Sequence, residues 1–162
     1  MSTLSYLGNV NDAIRIVEKL YPQAALYEVD GVASDGKPTG DATKINKLRV
    51  VFRAGEGTVI INTTSSWGEW SVPTYIPEPW LEDVVIPWPI KMDIVEAAKI
   101  MDADKKAFVE FSSVTLRWPL YPGTEEPYYI FNSKGHYVFV GVYSHKVSFE
   151  DLTEKKAGAT EK

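Results

Sequence analysis

Apolar residues recur at spacings of three and four through Ala13, Ile14, Val17, Leu20 and Tyr21, while Arg15, Glu18 and Lys19 lie largely on the other side. That is the pattern of a helix with one apolar face. Asn9 or Asn11 is expected to cap it, because a short polar side chain accepts bonds from free first-turn amides. Pro22 is expected to stop it, since the residue before a proline is pushed out of helical geometry. A second helical pattern starts at Asp93 and buries Ile94, Ala97, Ala98 and Met101. Asp93 and Glu96 have the spacing of a capping box.

Elsewhere the period drops to two. Leu48, Val50 and Phe52 point one way, and Arg49 and Arg53 the other; after Ala54-Gly55-Glu56-Gly57, Val59 and Ile61 return to the first face. This predicts a β-hairpin with glycine in its turn. A second hairpin turns at Asn132-Ser133-Lys134-Gly135, setting Tyr128 and Ile130 against Tyr137 and Phe139. Val138, Val140 and Val142 form the opposite face of its last strand, so the pattern leaves open which face is buried. Gly141 interrupts the aromatic face, and a glycine inside a strand marks a bulge or a close backbone approach.

The order of these elements repeats. DAIRIVEKLYP, AALYEVDGV and KLRVVFRAGEGTVIINT are followed by DIVEAAKIMDAD, AFVEFSSVTLRW and EPYYIFNSKGHYVFVGVYS. Each set reads helix, strand, loop, strand, turn, strand, and a recurrence after about 80 residues suggests duplication. The expected fold class is α+β, with two tandem αβββ units, each an antiparallel sheet packed by one helix, and the two sheets candidates to join into one. The expected divisions are a first unit over 1–64, a Trp/Pro-rich connector over 65–91, a second unit over 92–152 and a disordered tail over 153–162. The polar loop from Ser34 to Asn46 is long enough to expect mobility.

With 162 residues, the chain can bury roughly 70% of its unfolded surface. Half of it alone would be marginal without a staple. It contains no cysteine, so the halves are expected to support each other. The net charge of −5, without a Lys/Arg run, argues against nucleic acid, whose phosphates demand basic side chains. No stretch approaches 18 uninterrupted apolar residues, so no membrane span is expected. The start, MSTLSYLGNVNDA, shows no signal peptide. A cytoplasmic protein and one exported with its signal removed both fit.

Catalytic and metal sets are poor. His136 and His145 are the two histidines, and zinc takes three or four His, Cys or carboxylate ligands. Asp35 and Asp41 lack the spacing of a calcium loop. AGEG has no following Lys to make a phosphate cradle. Glu69, Glu78, Glu82 and Asp83 could pair across a sugar, but a Pro-rich connector is a poor rigid mount for glycoside chemistry. No cofactor, metal or catalytic residue is expected.

The connector is the candidate binding segment. It holds four of the five tryptophans and five of the ten prolines, a composition that favours an extended path. Trp67, Trp70, Tyr75 and Trp80, with Tyr128 from the second hairpin, are the candidate binding residues, since large rigid aromatics dominate binding hot spots and stack on sugars or apolar ligands. The competing reading is that these side chains only pin the connector. Trp88, between Pro87 and Pro89, is the one expected to be purely structural.

The repeated αβββ unit, with its opening helices and its glycine-turned hairpins at Gly57 and Gly135, resembles the PepSY domain and the tandem fold of the beta-lactamase inhibitory proteins over Asp12 to Thr63 and Asp93 to Ser144. The resemblance implies a binding or inhibitory module without catalytic residues, using a concave sheet rich in aromatics. The chain departs from those inhibitors in lacking disulfides and a visible export signal. The reading is a noncatalytic binding protein, taking a protein or a small apolar or sugar ligand. The alternative is a small-molecule-binding or enzymatic protein of cystatin-like curved-sheet type, with a pocket between helix and sheet.

Overall fold

The computed structural model describes residues 5–64, 69–104, 110–120, 124–133 and 136–151. Helix α1 (Tyr6–Leu20) leads into β1 (Ala25–Ala33), β2 (Ile45–Ala54) and β3 (Gly57–Asn62); the connector contributes β4 (Thr74–Ile76) and β5 (Asp83–Val84); helix α2 (Ile94–Ala103) leads into β6 (Ser113–Pro119), β7 (Tyr128–Ser133), β8 (His136–Gly141) and β9 (Val147–Asp151). The class is α+β. The strands form one nine-stranded sheet in the order β4-β3-β2-β1-β6-β7-β8-β9, with β5 pairing β6 off this path. Every strand pairing is antiparallel. The central pair is β1 with β6, which joins the two helix-led halves.

Both helices cover the same face. Val10, Ala13 and Val17 of α1 and Ile94, Ala97, Ala98 and Met101 of α2 share one core with Val50, Phe52, Val59, Ile61, Leu116, Phe131, Val138 and Val140. The ambiguity in β8 is thereby resolved. Val138 and Val140 are fully buried under the helices, so Tyr137 and Phe139 project to the uncovered face by strand alternation.

The N-terminus of α1 lies earlier than the asparagines suggest. Ser5 is its cap and accepts from the Gly8 amide at 3.0 Å. Asn9 is buried inside the helix, and Asn11 accepts a hydrogen bond from the Trp88 indole at 2.7 Å. Asp93 caps α2 as expected, accepting from the Val95 amide, and also from the Leu7 amide of α1 at 3.0 Å.

The polar loop after β1 is pinned. Asp41 caps a short 3-10 helix over Ala42–Lys44, and Thr39 exchanges two backbone bonds with Phe111, at 3.0 and 2.9 Å. Asp35 accepts from the Lys37 amide. Both loop carboxylates thus serve the local backbone. The tail from Leu152 onward lies outside the described residues.

The connector crosses the uncovered face of the sheet. The Thr58 hydroxyl of β3 donates to the Glu78 carbonyl at 2.7 Å, Trp80 lies against Arg49 of β2, and Asp83 reaches Arg117 of β6. It then rounds the end of the sheet. The Ile86 amide donates to the Leu26 carbonyl at 2.9 Å, Ile86 enters the core, and the Tyr129 hydroxyl donates to the Met92 carbonyl at 2.8 Å. No helix among the described residues is long and apolar enough to cross a membrane.

Candidate functional site

Strand alternation places charged side chains at the middle of the uncovered face. β1 carries a register shift between Leu26 and Glu28. This bulge turns Glu28 and Asp30 away from the helices while Val29 stays in the core. Arg49 of β2 lies opposite Asp30, and Arg117 of β6 opposite Glu28. Arg49 Nε and Nη2 both donate to Asp30 Oδ2, at 3.1 and 2.7 Å, and the Thr115 hydroxyl donates to Asp30 Oδ1 at 3.1 Å.

The connector completes the group from above. Arg117 Nε donates to Asp83 Oδ1 at 2.7 Å, its Nη2 to the Glu82 carbonyl at 3.0 Å, and Trp80 Nε1 to Asp83 Oδ2 at 2.7 Å. The Arg49 guanidinium also sits 5.9 Å from the Trp80 ring centroid, within cation–π reach. Both oxygens of Asp83 are therefore satisfied although its side chain is fully buried.

Glu28 is held between the two aspartates. Arg49 and Arg117 approach it only to 3.7 and 4.0 Å, because each is committed to an Asp. Burial comes first, then hydrogen bonding with the Asp30 and Asp83 carboxyls and their charges; together these push Glu28 up to about 10. Desolvation and like charge both disfavour its ionised form. Glu28 is neutral at physiological pH, and two arginines balance two aspartates around it. A neutral carboxyl can act as a general acid only within reach of a substrate. Glu28 is 5% exposed, covered where Asp83 of the connector meets Arg117. Among the described residues no group of three or more His, Asp or Glu is arranged to hold a metal ion.

Beside this cluster lies a cleft of about 280 Å³, lined by Asp30, Val32, Lys47, Arg49, Ser113 and Thr115 together with Gly31, Leu48, Asn62 and Thr63. On the other side of the cluster, across β6, the uncovered face becomes aromatic. Tyr128 pairs with Arg117, Ile130 with Thr115, and Phe139 with Ile130; the Tyr128 and Phe139 rings meet edge to face at 5.7 Å.

The candidate binding aromatics do not form one surface. Trp70 packs against the core, bridged to Thr63. Tyr75 pairs with Val59 and stacks on Tyr21 at 6.0 Å, so both sit on the helix side. Trp80 and Tyr128 belong to the uncovered face. Trp67 lies outside the described residues. Trp88 bonds Asn11 and packs on the core, the structural role expected for it. Of the connector carboxylates only Asp83 enters the cluster by its side chain. Glu28, Asp30 and Arg117 were not among the expected site residues. The available signal was a run of charged residues at strand positions that otherwise alternate with Val and Leu.

No model of a known protein family matches the chain, and no curated protein matches it in sequence. Its fold is similar to the crystal structure described as a putative lipoprotein from Clostridium difficile 630, with a TM-score of 0.58 and 12% identity over 91% of this chain and 100% of that one. At that identity the likeness concerns the fold alone.

Proposed function

We propose that this chain is a noncatalytic binding module that receives a protein partner on the uncovered face of its sheet. One asymmetry carries the reading: two helices cover one face of a nine-stranded sheet, and among the described residues nothing but the connector segment crosses the other. Tyr128, Tyr137 and Phe139 stand partly exposed there. Leu81, 74% exposed, and Leu120, 60% exposed, flank the connector crossing, where the Leu120 amide bonds the Glu82 carbonyl. Neighbouring exposed apolar side chains are a feature of interaction surfaces, and aromatic anchors supply most of the energy in such contacts.

The reading includes a duplicated architecture of PepSY-like αβββ units, as in the tandem inhibitory proteins. Its support is the order α1-β1-β2-β3 followed by α2-β6-β7-β8, with β1 and β6 meeting at the centre and the later strands running outward on either side. The space between helices and sheet is filled by side chains such as Val10, Val17, Leu116 and Phe131, all fully buried; this favours a surface contact over a ligand in a helix–sheet pocket.

The test is affinity capture. The immobilised chain is incubated with cytoplasmic and secreted extracts of the source organism, and retained proteins are identified by mass spectrometry. The expected result is one protein retained at near-equimolar amount. Retention no greater than that on an unrelated bait, from both extracts, would sink the proposal.

A further inference from the structure

We infer that the cleft between β1, β2 and β6 binds a carboxylate, carried by a small organic acid or by a peptide C-terminus. The argument rests on which polar groups in the cleft remain unused. Its one acidic side chain, Asp30, is saturated: Oδ2 takes both Arg49 nitrogens and Oδ1 takes the Thr115 hydroxyl. The Thr63 hydroxyl is occupied by the backbone of Leu48. What remains, apart from the Asn62 amide, are donors. The Lys47 ammonium and the Ser113 hydroxyl engage no other described residue, and Arg49 has Nη1 left over after binding Asp30.

Charge selects the ligand further. Lys47 and Arg49 set two positive charges against the one negative charge of Asp30, a local surplus of one in a chain whose net charge is −5. A singly charged anion matches that surplus. Lys47 and Arg49 lie two apart on β2, and Ser113 and Thr115 two apart on β6, so each pair faces the cleft from one side, across Asp30 and Val32 of β1. The volume of about 280 Å³ is more than a simple ion needs. Val32 adds apolar lining for a short hydrocarbon body. A carboxylate held by Lys47 and Arg49, with its chain along Val32 and its far end at Ser113, fits each of these features. The inference goes beyond the partner reading and does not depend on it.

The experiment is a titration of the full-length ¹⁵N-labelled protein, followed by amide chemical shifts. The probes are 4-hydroxybutyrate, an acetylated tetra-alanine peptide with a free C-terminus, the same peptide amidated, and sodium chloride at matched ionic strength. The expected result is saturable shifts at residues of β1, β2 and β6 with 4-hydroxybutyrate or the free-acid peptide, and none with chloride or the amide. Saturation by 4-hydroxybutyrate alone assigns a free acid; saturation by the free-acid peptide assigns a chain terminus. Lys47→Gln changes an exposed side chain, so the fold is retained, and it should weaken binding at least about fivefold; Ser113→Ala should weaken it less. Absence of saturable shifts with both carboxylates, equal response to the amidated peptide, or unchanged affinity in both variants would overturn the inference.

Discussion

Arg117 and Asp83 stand 34 residues apart in sequence and are joined by a 2.7 Å bond from Nε to Oδ1. This contact locks the connector onto the uncovered face of the sheet. Because the Asp83 side chain is fully buried, removing the arginine strands a desolvated charge, which costs more than the pair contributes. Arg117→Met should lower stability in urea denaturation by about 3 kcal/mol. Adding Asp83→Asn should restore part of the loss. A single-variant effect under about 0.5 kcal/mol, the range of ordinary surface changes, would show that Asp83 is solvated.

Glu28 makes stability depend on pH in a defined direction. Its carboxyl rises from an ordinary 4.5 to about 10 on folding. The folded state therefore holds a proton that the unfolded state releases. Its contribution is fully present below about pH 4.5 and is lost progressively as the pH climbs toward 10. The slope is at most about 1.4 kcal/mol per pH unit. Glu28→Gln keeps the shape and removes the titration. Urea melts of both proteins at about pH 6 and about pH 9 should show the variant gaining on the parent as pH rises. Parallel curves would place Glu28 in water.

The helices and the inner strand faces were legible in the sequence because burial there follows a plain period. Val17, Ile94, Leu48, Val50 and Val59 all lie where the periodicity places them. The cap of α1 was misplaced because Asn9 and Asn11 are equally good capping residues; burial and the Trp88 indole claim them instead. The polar cluster was hidden for a different reason. The bulge between Leu26 and Glu28 shifts the phase of β1, so a period counted from the buried Leu26 assigns Glu28 and Asp30 to the inner face. The connector aromatics divide between faces because their partners, Tyr21, Arg49 and Asn11, come from distant elements. Composition marks the connector as unusual, and only tertiary pairing sorts its members.

The shared core predicts that either helix can be weakened with similar effect. Val17 and Ile94 are 0% and 1% exposed. Truncation to Ala removes buried methyl groups and leaves a cavity, so each variant should lose about 2 kcal/mol. Chemical denaturation reads this directly, and a change near zero would mean the helix does not pack as described.

Within the connector, two substitutions should separate anchoring from display. Trp88→Phe deletes the indole bond to Asn11 and should cost about 1 kcal/mol or more, since it also leaves a polar acceptor unpaired. Leu81→Ala alters a side chain that is 74% exposed and should stay within about 0.5 kcal/mol of the parent. The reverse ranking in thermal or urea unfolding would contradict the path described for the connector.

The central claim is that the uncovered face, and not the helix face, meets the partner. The direct measurement is the affinity of the captured protein for Phe139→Asp, on the uncovered face, and for Lys19→Glu, exposed on α1, with both variants confirmed folded by circular dichroism. A charge placed among Tyr128, Ile130 and Tyr137 should weaken binding by about 2 kcal/mol or more, roughly thirtyfold, while Lys19→Glu leaves it unchanged. Full affinity in Phe139→Asp together with loss in Lys19→Glu would assign the contact to the helices and contradict the account.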